Sequence, residues 1–317
     1  MLGYVVAVAV GLALLAFAPG RFVAGSAGLA DVFGVPRVLV GALIIGFGTS
    51  APEMLVSGLA AAQGEPEVGI GNIVGSNVAN LSLILGIAAL VGTMPVPRGL
   101  VRSELPLLAA ATIGFAIAVQ DGLSRAEGGA LAVGLVVALV IVIRRAGRAD
   151  PAEAEYDHEI DDYLAEEEAG GRGRLAFDAV AGLVGTIAGA QILVTGAVGI
   201  ADKAGLSGGF VGMTLVALGT SLPELVTAVA AARAGEPTLI LGNLIGSNLF
   251  NCLGVGAVVG LADAGPVDQG SLTGGVLLML AVTAIAALSL ARGSHVTRPE
   301  ALGLLATYAV ALPLLAL

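Results

Sequence analysis

Runs of about 20 apolar residues narrow the possible folds more than any other feature of this chain, because that is the length a helix needs to cross a hydrocarbon core. Ten such runs, punctuated by Pro, Gly and charged residues, fall at roughly 2–19, 38–63, 68–91, 103–120, 126–144, 177–201, 209–234, 238–261, 270–291 and 299–316. Hydrophobic residues make up 57% of the 317 and charged residues only 12%, about half the usual share for a soluble domain. The expected fold class is therefore an all-α integral membrane protein with ten transmembrane helices. The first run carries Ala16-Phe17-Ala18, which resembles a signal-peptidase site, but no basic residue precedes it and Arg21 follows it. It reads as a retained span rather than a secretory signal.

Composition also excludes several functions. One cysteine, Cys252, rules out an intrachain disulfide framework, and two histidines, His158 and His295, leave little for a multi-histidine metal site. A formal charge of −10 argues against a nucleic-acid partner. The loops carry a clear sidedness. With the N-terminus outside, Arg21, Arg37, Arg98, Arg102, Arg144, Arg145, Arg148, Arg172, Arg174, Arg233, Arg292 and Arg298 fall inside, and only Arg125 and Lys203 outside. Cytoplasmic loops hold the excess of basic residues, so a multi-pass protein of the cell membrane is expected, with both termini outside.

The chain is internally duplicated. Gly48-Thr49-Ser50-Ala51-Pro52-Glu53 recurs as Gly219-Thr220-Ser221-Leu222-Pro223-Glu224, and Gly64-Glu65-Pro66 as Gly235-Glu236-Pro237. The segment from Gly71-Asn72 through Gly75-Ser76-Asn77 to Asn80 recurs as Gly242-Asn243, Gly246-Ser247-Asn248 and Asn251. The offset is 171 throughout, and 16 of the 33 positions in 48–80 and 219–251 are identical. The expected units are a first five-span repeat at 1–145 (motif about 41–86), an acidic cytoplasmic linker at 146–176, and a second repeat at 177–317 (motif about 212–257). A unit with an odd number of spans inserts the opposite way the second time, giving two inverted five-helix repeats, the architecture of many secondary transporters. A scaffold duplicated only for packing would keep apolar and small residues, whereas these copies keep Glu, Asn, Ser and Thr.

Glu53 and Glu224 are the carboxylates placed deep within spans. An ionisable side chain there costs roughly 3 kcal/mol on insertion scales and usually marks an ion path; the structural alternative is a protonated, hydrogen-bonded acid. Pro52 and Pro223 lack an N–H and clash with the carbonyl four residues back, which frees backbone oxygens around Gly48 and Thr49, and around Gly219 and Thr220. A plain proline kink is the simpler reading, but here kink and acid recur together. Helical spacing sets Thr49 and Ser50 beside Glu53. Asn72, Ser76 and Asn80 share one face, as do Asn243, Ser247 and Asn251. Gly71/Gly75 and Gly242/Gly246 read as packing positions. Carboxylates, amides (Asn80 and Asn251 among the candidate ligands), hydroxyls and carbonyls, without sulfur or imidazole, form a hard-cation inventory.

GTSxPE followed by GNxxGSNxxN, present twice, resembles the alpha repeats of the calcium/cation antiporters, most closely the prokaryotic sodium/calcium exchangers. The resemblance implies that Glu53 and Glu224 are central Ca²⁺ ligands, aided by the backbone carbonyls of Thr49 and Thr220. It further implies Na⁺ sites at Ser50, Ser76, Ser221 and Ser247 and at the carbonyls of Gly46 and Ala217. Exchange of about three Na⁺ for one Ca²⁺ by alternating access would follow. Relatives that carry Asp at the second motif's end differ from this chain, where Asn251 speaks against potassium dependence.

With two site carboxylates, three Na⁺ against one Ca²⁺ makes exchange electrogenic, worth about 2.3 kcal/mol per 100 mV. Spans one and six, outside the binding motifs, are expected to slide or rock against the rest. The partners implied are Ca²⁺, Na⁺ and the lipid bilayer, with no cofactor and no protein partner required. A Ca²⁺/H⁺ antiporter using the same glutamates is the nearest alternative, and a passive channel a more distant one. No nucleophile–base pair is evident, so enzymatic activity is not expected. Ten acids crowd 150–168; without them the chain balances at 14 acidic against 14 basic residues, and the run reads as a solvated linker.

Overall fold

In hydrocarbon a spanning segment must satisfy every backbone N–H and C=O within itself, which an α-helix does. The computed structural model is helical accordingly. It describes residues 1–33, 50–92, 94–146, 171–234, 237–262, 267 and 269–314. Among the described residues, seven helices are long and apolar enough to cross a membrane: Leu2–Ser26, Pro66–Val91, Arg98–Ala118, Arg125–Arg144, Arg172–Ala204, Ile240–Leu261 and Leu272–Arg292. An eighth candidate is a pair bent by 40°, Gly208–Thr220 and Leu222–Arg233. A shorter apolar helix, Ala51–Ala62, falls on the second run, and the helix Arg298–Leu314 on the tenth. The acidic stretch at 150–168, and Gly46, Gly48 and Thr49, lie outside the described residues.

The elements used below are α1 (Leu2–Val32), α2 (Ala51–Ala62), α3 (Pro66–Val78), α4 (Leu85–Val91), α5 (Arg98–Ala118), α6 (Arg125–Ala146) and α7 (Arg172–Ala204). They continue with α8 (Gly208–Val211), α9 (Ala217–Thr220), α10 (Leu222–Ala234), α11 (Pro237–Phe250), α12 (Gly256–Leu261), α13 (Gln269–Arg292) and α14 (Arg298–Leu314). Three π-helical turns join consecutive helices without breaking the rod. Ala79–Ile84 links α3 to α4, Gly212–Val216 links α8 to α9, and Asn251–Val255 links α11 to α12.

Burial sorts the spans into centre and rim. Pro66–Val91 and Ile240–Leu261, which carry the two asparagine motifs, are each 83% buried, whereas Leu2–Ser26 and Arg125–Arg144 are 22% and 17% buried. The rim presents Phe17, Phe177 and Val133 outward, a surface that suits lipid rather than water. Two helix starts are fastened by reciprocal capping boxes. Ser124 N–H donates to Glu127 and Glu127 N–H to the Ser124 hydroxyl at the start of α6, and Thr297 and Glu300 repeat the arrangement at α14. These helices are the fifth and tenth runs. Short strands β1 (Met94–Pro95) and β2 (His295–Val296) pair antiparallel, Met94 against Val296, which brings together two loops that the arginine count assigns to one side.

Glycine sets how closely the rods approach. A Cβ at Gly71 would lie 3.0 Å from the Met213 nitrogen, and one at Gly75 would overlap the Met213 carbonyl, so α3 meets the turn after α8 backbone to backbone. At Gly246 no described residue comes within 4 Å of the Cβ position; the stretch equivalent to its partner by the 171-residue offset falls in 34–49, outside the described residues. α1 and α7 pack along one another through glycines on both sides. A Cβ at Gly11 would stand 2.7 Å from the Leu193 nitrogen and one at Gly189 2.9 Å from the Leu14 side chain, while Gly196 faces the Tyr4 carbonyl. Overpacking such a contact costs about 1–3 kcal/mol. Gly189→Leu is therefore expected to lower the thermal unfolding midpoint of the detergent-purified protein, whereas Gly274→Leu, at a position with open space, should leave it unchanged.

Candidate cation site

Each glutamate sits in the first turn of a helix that starts at a break. Ser50 holds the N-cap position of α2 with φ −91° and ψ 7°; Ser221, its equivalent at the junction of α9 and α10, has φ −86° and ψ 6°. Both lie in the sparsely populated bridge region. A serine at an N-cap normally accepts from the N–H two or three residues on, in β-like backbone. Here the residue two on is Pro52 or Pro223, without an N–H, and the backbone is not extended. The hydroxyl is left over, and the acid of the first turn gains the favourable field of the helix N-terminus.

Among the described residues, eight buried side-chain oxygens have no hydrogen-bond partner: Ser50 Oγ, both Glu53 oxygens, Asn80 Oδ1, Ser221 Oγ, both Glu224 oxygens and Asn251 Oδ1. They form four pairs, each related by the 171-residue offset. An unpaired buried polar group costs several kcal/mol in hydrocarbon, and eight such groups at repeat-related positions are not scattered packing errors. The helices bring them together crosswise. α2, with Glu53, packs against the π turn that holds Asn251, and α10, with Glu224, packs against the π turn that holds Asn80. Glu53 is close enough to Glu224 for their charges to interact. The Thr220 and Ser221 side chains also lie beside the Glu53 carboxylate.

The remaining polar groups brace this centre. Asn72 Nδ2 donates to Ser57 Oγ at 3.0 Å and to the Glu53 main-chain carbonyl at 3.5 Å, while its Oδ1 accepts the Thr220 hydroxyl at 3.0 Å. Asn72 thus ties the first repeat's acid helix to the second repeat's broken span and spends both ends of its amide doing so. Ser76 Oγ lies 3.4 Å from Thr220 Oγ1 and donates to Asn72 at 3.5 Å; Ser247 donates to Asn243 at 3.4 Å. The Ala217 carbonyl accepts the Ser221 N–H at 3.0 Å and the Thr220 hydroxyl at 3.3 Å. Among the described residues no group of three or more His, Cys, Asp and Glu comes together. The donor set here is carboxylate, amide and hydroxyl oxygen, suited to a hard cation.

Two details of the geometry go beyond the sequence reading. Asn72 and Ser76 bond to one another and to Thr220, whereas Asn80 bonds to Asn248, and a π turn begins at Ala79; such turns are frequent at functional sites. Asn77 and Asn248, absent from the candidate ligands, prove to be the partners of the two unsatisfied amides. Asn80 Nδ2 donates to Asn248 Oδ1 at 2.8 Å, and Asn251 Nδ2 to Asn77 Oδ1 at 3.3 Å. Their repetition inside both GSN triplets was the available signal. Away from this centre, a polar cavity of about 260 Å³ is lined by Tyr4, Gln63, Glu65, Thr195 and Asp202 among others. Gln63 Nε2 donates across it to Gln191 Oε1 at 3.0 Å. Partial burial, then the charges of Glu67 and Asp202, push the Glu65 carboxyl above its ordinary range.

Known proteins match this arrangement over nearly the whole chain. The family model described as sodium/calcium exchanger protein matches residues 3–144 and 177–316. Inner membrane protein YrbG of Escherichia coli (strain K12) is 34% identical over 282 residues, covering 88% of this chain and 86% of that protein. Sodium/calcium exchanger MaX1 of Methanosarcina acetivorans is 28% identical over 329 residues, with 94% of each covered. The solved structure of the sodium-calcium exchanger NCX_Mj soaked with 10 mM Na⁺ and 10 mM Sr²⁺ superimposes with a TM-score of 0.66 at 29% identity, covering 98% of both chains.

Removing the Asn72 amide strands the hydroxyls it serves, at about 1–3 kcal/mol. Asn72→Leu should lower the unfolding midpoint of the purified protein by several degrees, and by more than Ser57→Ala does.

Proposed function

The chain belongs to the sodium/calcium exchanger family, and on that footing we propose that it is a secondary antiporter exchanging Na⁺ for Ca²⁺ at a single site between Glu53 and Glu224. The observation that carries this reading is the set of eight unsatisfied buried oxygens, paired across the repeats. Four of them are carboxylate oxygens. Two carboxylates neutralise one Ca²⁺, and Ca²⁺ takes 6–8 oxygens in flexible geometry. The Thr220 carbonyl, and that of Thr49 by the repeat's equivalence, complete the Ca²⁺ shell. Na⁺ in place of Ca²⁺ uses smaller subsets: Ser50, Ser76 and the Gly46 carbonyl in one half, Ser221, Ser247 and the Ala217 carbonyl in the other. Asn80 and Asn251 supply amide oxygen to the centre.

Access alternates by movement of the α1–α7 pair against the remainder. That pair is bound to itself by backbone contact at glycines and is lipid-exposed on its outer face; it reaches the site region through contacts with α2 and α9. The ten runs form ten spans in two inverted repeats, with both termini outside the cell membrane and the acidic 146–176 loop inside. The pairing of β1 with β2 supports the parity of that arrangement. With three Na⁺ per Ca²⁺ each cycle moves one net charge, and Asn251 in place of an acid makes exchange independent of K⁺.

The test is Ca²⁺ flux in proteoliposomes. An outward Na⁺ gradient should drive Ca²⁺ uptake without K⁺, an imposed membrane potential should change its rate, and Glu53→Gln and Glu224→Gln should each reduce it more than about a hundredfold. Uptake driven by a pH gradient and indifferent to Na⁺ would replace Na⁺ by H⁺ as counter-ion. Full activity in Glu53→Gln would sink the glutamate site itself.

A further inference from the structure

An asparagine side chain presents oxygen from one end and an NH₂ group from the other, in nearly the same shape. Left to itself, an amide at a cation site could turn its nitrogen inward and oppose binding. Asn80 and Asn251 each have a buried Oδ1 without a partner, so some neighbour must fix which end faces the site. Resting on the proposed function above, we infer that Asn77 and Asn248 are positioning residues that hold the Asn251 and Asn80 amides with oxygen toward the cation.

The polarity is set by acceptors whose own hydrogens are already committed or absent. Thr112 Oγ1 donates to the Leu108 main-chain carbonyl at 2.9 Å, which leaves it an acceptor for the Cys252 thiol at 3.9 Å. The Cys252 sulfur in turn accepts from Asn77 Nδ2 at 2.9 Å, and the Met279 thioether, which has no hydrogen to give, accepts from the same nitrogen at 3.5 Å. The nitrogen end of Asn77 is thus committed, and its oxygen end takes the Asn251 Nδ2. The Asn251 oxygen has only the site left to face. A second relay starts at the Asn77 main-chain carbonyl, which accepts Asn248 Nδ2 at 3.1 Å. The Asn248 oxygen then takes Asn80 Nδ2 at 2.8 Å, and the Asn80 oxygen is turned to the site. Reversing either relay would set an NH₂ against another donor, or an oxygen against another acceptor, inside a fully buried region. Each relay crosses from one repeat to the other, so the ends that face the cation are set only when the two halves are docked.

The test is equilibrium binding of radiolabelled Ca²⁺ to the detergent-purified full-length protein without Na⁺, as a double-mutant cycle. Asn77→Leu should weaken Ca²⁺ binding about tenfold, because the freed Asn251 amide can turn its nitrogen inward. In an Asn251→Ala background the same change should add less than about twofold. In an Asn251→Asp background, where either end of the side chain presents oxygen, Asn77→Leu should likewise cost less than about twofold. Additive losses in the cycle, or an undiminished loss from Asn77→Leu in the Asn251→Asp background, would overturn the inference while leaving the glutamate site intact. Wild-type protein that binds no Ca²⁺ would instead overturn the functional reading, and this inference with it. If Asn77→Leu does not fold, Asn248→Leu combined with Asn80→Ala reads the mirror relay under the same criteria.

Discussion

An oxygen buried in hydrocarbon without a hydrogen-bond donor has lost its water and gained nothing in return. Eight such oxygens lie at the centre of this fold, in four repeat-related pairs, and much of the surrounding structure serves to keep them there. The proline two residues after Ser50 and Ser221 withholds the N–H that would have satisfied the hydroxyl. Helix N-termini support Glu53 and Glu224 as anions. The crosswise asparagine bonds take up the nitrogens of Asn80 and Asn251. A positive ion is the natural complement to a centre from which donors have been removed so consistently.

Stability must come from elsewhere, because unpaired buried oxygens contribute none. Backbone contact at Gly71 and Gly75 against the Gly212–Val216 turn, and the α1–α7 seam at Gly11, Gly189 and Gly196, replace side-chain burial with dispersion between main chains. These contacts cross from one repeat to the other, so neither half can form its share of the centre alone. Asn72 makes the same point with hydrogen bonds, joining α2 to the broken span of the second repeat. Close packing within the α1–α7 pair and polar bracing around the acids are thus separate features of the fold.

Most helices were legible in the sequence, since apolar runs are local signals, and so were Glu53, Glu224 and the repeat. The π turns were not. No residue period announces them. Asn77 and Asn248 stood inside the motif, but nothing local distinguishes an asparagine that faces a cation from one that orients another asparagine.

The helical, membrane-spanning class, the duplication, and the identity of the oxygens available at depth were determined by the sequence alone. Hydropathy, a constant offset of 171 and residue chemistry are properties of the chain itself. Which of those oxygens end up free was decided by tertiary structure. Asn72 and Asn80 share a residue type and a motif, and one is spent on both ends while the other keeps its oxygen unpaired. The difference lies in partners more than a hundred residues away, Thr220 for one and Asn248 for the other, which come within reach only once the two repeats have docked.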